Sequence, residues 1–219
     1  MLGHDLRDPL QSISMAARVL EKSGDGTGDV GTRIGQRIQS SSSRMARLIA
    51  QVLDASRLQT GVGLQLQLKE IDLTTLLEDL LDEAQTAYPG VRVIRELPKS
   101  LIVKADPDRM AQLFTNLLSN ARHHGTPGQP VIVQLCNRGE DVIYEVSNSE
   151  PPVAAGLVPH LFSAFKRHAE GNVRNKDGLG LGLYIAQAIV AGHGGAIRYS
   201  YAEPYVIFSA RFPATSPLR

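Results

Sequence analysis

The chain has 219 residues, 42% of them hydrophobic, with 23 basic and 22 acidic residues. This length allows one large domain or two small ones, and the near-neutral charge gives no indication of a nucleic-acid or anionic-membrane surface. The single cysteine excludes an intrachain disulfide and is typical of a reducing compartment, so we expect a cytoplasmic protein. No segment approaches the roughly 18 consecutive apolar residues that span a bilayer, so we expect no direct membrane insertion.

The first part of the chain, residues 1–60, has the pattern of two helices. Apolar residues recur at steps of three and four along 2–20 and again along 34–53, and the glycine-rich segment 24–31 separates the two stripes. This pattern predicts a helical hairpin. Two hairpins paired as a four-helix bundle would bury both stripes, so we expect a parallel homodimer. The alternative is a hairpin that packs against the second domain of its own chain.

The chain enters this helical pattern at once and without a capping residue. We therefore expect it to be part of a longer protein, with an upstream sensory domain that is missing from this sequence.

The second part, residues 61–219, begins with Gly61-Val62-Gly63, where the pattern changes. Its predicted elements are a strand within 64–73, a helix over 72–87, strands within 91–97 and 100–105, a helix that Asp106 caps and that ends at Gly125, a hairpin of 131–136 and 142–148, a helix over 179–191, and a hairpin of 196–202 and 205–212. Mixed strands and helices of this kind predict an α+β protein: a helical hairpin followed by a two-layer α/β sandwich with helices on one face of the sheet.

A histidine with neighbouring acids lies in the segment HDLRDPLQ. At about 100° per helical residue, His4 and Asp8 share a face opposite the apolar stripe, so His4 is predicted to be exposed. An imidazole nitrogen that attacks a phosphoryl group must be neutral, and a carboxylate can accept the proton from the other nitrogen. Asp5 is placed to do so. Pro9 inside a helix is costly unless a bend is needed, and this favours a functional role for the segment.

Two asparagines lie four residues apart in QLFTNLLSNARHHG. Asn116 and Asn120 therefore project side by side from one helix. Their carbonyl oxygens are hard ligands that suit a Mg²⁺ ion arriving with phosphates. His123 lies close to the same face, within reach of a phosphate. Solvated asparagines without a role remain the alternative from spacing alone.

Three glycines spaced by two lie in DGLGLGLYIAQAIV, namely Gly178, Gly180 and Gly182. Glycines that lead into a helix expose backbone N–H groups at its positive end, where phosphates can bind. The pattern is neither the dinucleotide-binding motif nor the P-loop. The polar, basic segment 163–177 before it is interpreted as a mobile lid, or as a plain surface loop.

Taken together, these segments resemble the sequence motifs of two-component sensor histidine kinases. HDLRDPL resembles the H-box, NLLSNARHHG the N-box, LFSAF the F-box and DGLGLGL the G2 box, and they occur in family order. The resemblance implies a dimerisation and histidine-phosphotransfer hairpin over 1–60. It also implies, over 61–219, an ATP-binding sandwich of the kind shared with Hsp90, gyrase and the mismatch-repair ATPases. The segment VSNSEPPVAAGLVPHLFSAF is most similar to the bacteriophytochrome branch.

The resemblance also implies roles for individual residues. His4 matches the phosphoacceptor and Asp5 the acid that assists it. The ligands implied are ATP and Mg²⁺, and the partners are a second copy of the chain and a response-regulator receiver domain. The residues matched to the nucleotide site are Asn116 and Asn120 for Mg-ATP, His123 where many members have a phosphate-contacting lysine, Asn148 where most have the aspartate that accepts from the adenine amino group, and the lid-end glycines Gly178, Gly180 and Gly182.

Three positions depart from the family pattern. Asn148 replaces the usual aspartate and Glu150 stands where the pattern has glycine, so we expect weakened ATP binding. Asp8 occupies the position that is linked to phosphatase activity in many members. Two other functions therefore remain open: a conformational ATPase of the Hsp90 or gyrase class, and a degenerate kinase that serves as a dimeric scaffold.

Overall fold

The structure is a computed structural model, and it describes residues 10, 13–17, 19, 29–165 and 179–214. The sites predicted at His4, Asp5 and Gly178 lie outside these residues. Upstream of residue 29 the described residues are helical. None of the described helices combines the length and apolar character needed to cross a membrane.

The described elements follow the predicted order. They are α1 (Asp29–Gln59), β1 (Lys69–Asp72), α2 (Leu73–Ala87), β2 (Val93–Glu96), β3 (Ile102–Ala105), α3 (Pro107–His124), β4 (Val131–Arg138), β5 (Asp141–Ser149), a 3₁₀ turn (Val158–His160), α4 (Gly182–Gly192), β6 (Ala196–Ala202) and β7 (Tyr205–Pro213).

The strands form two sheets. A five-stranded sheet has the order β2-β4-β5-β7-β6, in which β2 and β4 are parallel and the other neighbours antiparallel. A separate two-stranded sheet pairs β1 with β3. The sequence predicts a strand within 64–73. In the structure the strand is shorter, because residues 64–68 form no strand ladder and only the residues of β1 do.

One face of the large sheet forms the core with the helices. Burial alternates along β4 and β5, where Val133 lies opposite Val146 and Leu135 opposite Tyr144. These side chains share a continuous apolar cluster with the buried faces of α2, α3 and α4. An alternating strand pattern with one buried face is the expected signature of helices packed on one side of a sheet. The predicted fold class is therefore confirmed.

A buried polar network fixes the start of α3. The Asp106 side chain caps the helix by accepting from the backbone N–H groups of Asp108 and Arg109, and its other oxygen accepts from Gln67 N–H at 2.7 Å. The Asp106 N–H donates to His193 Nε2 at 3.2 Å, while His193 Nδ1–H donates to the Ile189 carbonyl. This network ties the segment before β1, the start of α3 and the end of α4 together.

Helix α1 presents apolar residues in two directions. Leu48 and Ala55 are buried in the core cluster of the second part of the chain. Ile49 and Leu53 of the same helix are 48% and 55% exposed. One face of α1 thus packs against the second part of its own chain, and the face with Ile49 and Leu53 remains available for a second copy. Gly61 and Gly63, at φ of 75° and 74°, form the turn after α1 in backbone that favours glycine.

Candidate functional site

A cavity of about 560 Å³ opens between α1, α2, α3 and the start of α4. Such a volume is typical of small-molecule sites. Of the residues predicted from sequence, it brings together Asn116, Asn120, His123, Gly180 and Gly182 in one lining. Asn148 is not part of that lining.

Asn116 faces the glycine-led start of α4, and Asn120 lines the same cavity. A Cβ built on Gly182 would lie 3.7 Å from Asn116 Oδ1, so the helix start and the amide are close neighbours. Gly180 has a φ of 69°, which places the turn in left-handed backbone, and no side chain of the described residues caps the first turn of α4. Its leading N–H groups therefore remain available to an anion.

The side-chain groups around this turn fit a magnesium-bound phosphate. Asn116 Nδ2 is buried and has no hydrogen-bond partner among the described residues. A buried donor without a partner is costly, and a phosphate oxygen would satisfy it. The amide oxygens of Asn116 and Asn120 are ligands of the kind that Mg²⁺ accepts alongside water and phosphate.

His123 is held by hydrogen bonds near the end of α3. Its Nδ1 lies 2.6 Å from the Ser119 carbonyl oxygen, and its Nε2 lies 3.0 Å from Arg122 Nη2. The Arg122 guanidinium in turn lies over the Tyr88 ring, with Cζ 3.8 Å from the ring centroid. The sequence predicts His123 at this site but gives no signal for Arg122 or Tyr88. Nothing in the sequence placed the end of α2 beside the end of α3.

Asn148 belongs to a second polar cluster. It continues the buried face of β5 and is 1% exposed, beside Gly125 at the end of α3. Its Nδ2 donates to Glu150 Oε2 at 3.3 Å, and its Oδ1 has no partner among the described residues. The amide thus keeps a free acceptor, which is the group that an adenine amino donor requires.

Glu150 and His124 complete that cluster. Burial raises the pKa of Glu150, with a smaller opposing effect of the Asn148 hydrogen bond, and burial lowers the pKa of His124. Glu150 Oε1 and His124 Nδ1 are 3.8 Å apart. Both shifts disfavour the charged forms, so this contact is a weak ion pair.

A further polar contact joins α1 to α3. The Asp54 side chain is buried, and its Oδ2 accepts from Arg109 Nη1 at 2.7 Å and from Gln112 Nε2 at 2.9 Å. An ion pair of this burial depends on its full set of partners. Asp54 was not selected from sequence, since an acid on the polar side of a helix gives no signal of a distant partner.

Comparisons with known proteins agree with this architecture. Residues 105–216 match the family of histidine kinase-, DNA gyrase B- and HSP90-like ATPases, and residues 1–61 match the His Kinase A (phospho-acceptor) domain. The chain therefore belongs to the sensor histidine kinases, within the histidine kinase-, DNA gyrase B- and HSP90-like ATPase family.

Among curated proteins, the chain is 45% identical over 213 residues to a bacteriophytochrome of Pseudomonas aeruginosa, covering 97% of this chain and 29% of that protein. The chain thus spans less than a third of that relative. Among solved structures, the catalytic domain of histidine kinase ThkA has a TM-score of 0.60 at 27% identity, covering 68% of this chain and 97% of that one. Full-length ShkA in complex with AMPPNP has a TM-score of 0.65 at 25% identity, covering 100% of this chain and 46% of that one.

Proposed function

We propose that this protein uses ATP and Mg²⁺ to phosphorylate its own His4 and then passes the phosphoryl group to an aspartate of a response-regulator receiver domain. One observation carries the proposal: a single cavity gathers two amide side chains and a helix start that no described side chain caps, in a chain whose first 61 residues match a phospho-acceptor domain. The AMPPNP complex of ShkA supports the nucleotide assignment.

The polar groups of the cavity and Asn148 of the second polar cluster have separate roles in this proposal. Asn120 and Asn116 would supply oxygens to Mg²⁺, and the N–H groups that follow Gly178, Gly180 and Gly182 would donate to phosphate oxygens. The Asn148 Oδ1 accepts from the adenine amino group. Phosphoryl transfer asks a protein mainly for positioning and charge neutralisation, and these groups provide both.

At the acceptor, the neutral imidazole of His4 attacks the γ-phosphorus, and the bond from that phosphorus to the β-phosphate oxygen breaks, which releases ADP. Asp5 accepts the proton from the other ring nitrogen. The phosphohistidine then donates its phosphoryl group to the receiver aspartate.

The proposal divides the chain into a phosphotransfer hairpin, 1–60, and a catalytic ATP-binding domain, 61–219. The left-handed turn at Gly61 and Gly63 lies at this boundary and serves as the hinge that brings the γ-phosphate to His4. The contact of Asp54 with Arg109 spans the boundary, so it must break or rearrange when the domains move.

We also propose a cytoplasmic homodimer, formed through residues 1–60. The exposed Ile49 and Leu53 on α1 support it, since pairing of two hairpins would remove their apolar surface from water. The sensory input of this kinase would come from an upstream domain.

The fate of γ-labelled phosphate tests the proposal. The native chain, incubated with Mg-ATP, should accumulate protein-bound phosphate that is labile in acid and stable in base. Release of free phosphate without labelled protein would instead indicate a conformational ATPase. The absence of both labelled protein and free phosphate would indicate a scaffold. Either the ATPase result or the scaffold result would contradict the kinase assignment.

A further inference from the structure

The cavity must neutralise a polyphosphate if it holds a nucleotide. Among the described residues that line it, Arg47 and Arg122 are the two with a permanent positive charge. A Mg²⁺ ion offsets part of the charge of a triphosphate, and the remainder calls for a cation at the site.

His123 does not supply this charge. A guanidinium only donates hydrogen bonds, so the contact between Arg122 Nη2 and His123 Nε2 requires Nε2 to be the acceptor. The ring proton is then on Nδ1, which donates to the Ser119 carbonyl at 2.6 Å. In these two contacts the imidazole accepts at one nitrogen and donates at the other, which is the hydrogen-bonding pattern of the neutral ring.

Arg122 is held in place before any ligand arrives. Its guanidinium stacks on the Tyr88 ring at 3.8 Å on one side and donates to His123 at 3.0 Å on another. A cation over an aromatic face is attracted by the ring, and the flat guanidinium keeps other N–H groups free to donate. A long side chain that is already ordered loses less entropy when it binds.

Arg47 is not held in place in this way. It is exposed, and within the described part of the chain it makes no hydrogen bond, ion pair or ring contact. It also lies on α1, across the boundary at Gly61, whereas Arg122 lies on the same helix as Asn116 and Asn120. Arg122 is therefore the better placed of the two cations.

We propose that Arg122 binds the phosphate groups of the nucleotide, and that Tyr88 and His123 are the positioning residues that hold its guanidinium in the cavity. This inference rests on the proposed nucleotide function. It moves the phosphate-binding charge from the histidine selected by sequence to the arginine before it.

Calorimetric titration of the full chain with Mg-ATP and with adenosine tests the proposal. Arg122→Gln should weaken ATP binding about tenfold, the equivalent of one charge-assisted bond, and leave adenosine binding unchanged. Arg122→Lys keeps the charge and should recover part of the loss. Arg138→Gln removes the same charge from an exposed position on β4 and should have no effect.

The positioning role is tested at Tyr88. Tyr88→Leu removes the ring and should weaken ATP binding, whereas Tyr88→Phe keeps the ring and should not. Native-like ATP binding by both Arg122→Gln and Tyr88→Leu, with urea unfolding showing folded proteins, would overturn the assignment of Arg122. A native chain that binds no ATP would contradict the proposed function itself.

Discussion

The two ends of α3 use polar side chains for opposite purposes. At its start, Asp106 is buried, its two carboxylate oxygens accept three backbone N–H groups, and its own N–H donates to His193. In its second half, Asn116 Nδ2 has no partner among the described residues and faces the cavity with Asn120. A satisfied network stabilises a fold, whereas an unsatisfied group lowers stability until a ligand satisfies it.

Stability and ligand binding therefore depend on different halves of one helix. Changes at the start of α3 should affect unfolding and leave ligand affinity alone. Changes in the second half should weaken ligand binding and leave unfolding nearly unchanged, since an amide without its ligand contributes little to the stability of the folded state.

The largest effect on stability is expected at the start of the helix. Asp106→Ala removes the cap and leaves Gln67 N–H without its acceptor, so the free energy of unfolding should fall by about 3 kcal/mol. Asp108→Ala, at the exposed neighbouring acid, should cost under about 1 kcal/mol. Urea denaturation measures both. Equal losses in the two variants would mean that the network does not hold the helix start.

The largest effect on binding is expected at the other end. Asn120→Ala should weaken Mg-ATP binding by at least about tenfold, because a direct magnesium ligand is lost, and should leave the urea midpoint nearly unchanged. Asn137→Ala, an exposed amide on β4, is the control. Calorimetry with and without Mg²⁺ decides the matter: native-like magnesium dependence in Asn120→Ala would remove this residue from the site.

Substitutions in the second polar cluster should strengthen ATP binding rather than weaken it. Asn148→Asp combined with Glu150→Gly restores a carboxylate toward the adenine amino group, so ATP binding should tighten by about tenfold. Asn148→Asp alone should gain less, because the new carboxylate would face Glu150, whose Oε2 lies 3.3 Å from Asn148 Nδ2. Unchanged or weaker binding in the double variant would show that the native pair is a compensated arrangement.

The smallest effect is a pH dependence of stability. Burial lowers the pKa of His193 from its ordinary 6.5, against smaller raising effects of the Ile189 carbonyl and the Asp106 charge. The unfolded chain therefore takes up a proton below pH 6.5 before the folded chain does, and stability that is present above this pH is lost as the pH falls. Burial lowers the pKa of His124 in the same direction.

Urea midpoints measured from pH 7.5 to 5.5 check this pH dependence. The native midpoint should fall over the acid half of that range, and His124→Gln should reduce the slope by removing one of the two contributions. Burial raises the pKa of Glu150, which opposes this trend because the folded chain then takes up that proton first. A slope of zero in a Glu150→Gln variant, which lacks the opposing contribution, would show that neither imidazole resists protonation in the folded state.

Local sequence signals predicted α3 well because they act locally. Asp106-Pro107 satisfies the first N–H groups, and Gly125 ends the helix where the sequence placed its end. The start of α4 was predicted too early, at residue 179, because the left-handed turn at Gly180 delays the helix to Gly182. Glycines in this motif mark the turn before the helix rather than the helix itself.

Non-local features were harder to predict. The alternation in LQLQLKEIDL indicates one-sided burial, and Leu64 and Ile71 do pack against the core. A ladder also needs a partner strand, and β3 offers only the four residues Ile102–Ala105. The contacts of Asp54 with Arg109 and of Tyr88 with Arg122 join residues that are 55 and 34 positions apart, and no periodic pattern marks them.

The central claim is that the γ-phosphate of ATP reaches His4. Peptide mapping under alkaline conditions, after incubation of the native chain and of His4→Gln with Mg-ATP, tests it most directly. We predict phosphate on the native peptide that contains His4, and an unlabelled His4→Gln protein that still binds ATP with native affinity. Acid-labile phosphate on His4→Gln, or native phosphate located on any other residue, would contradict it.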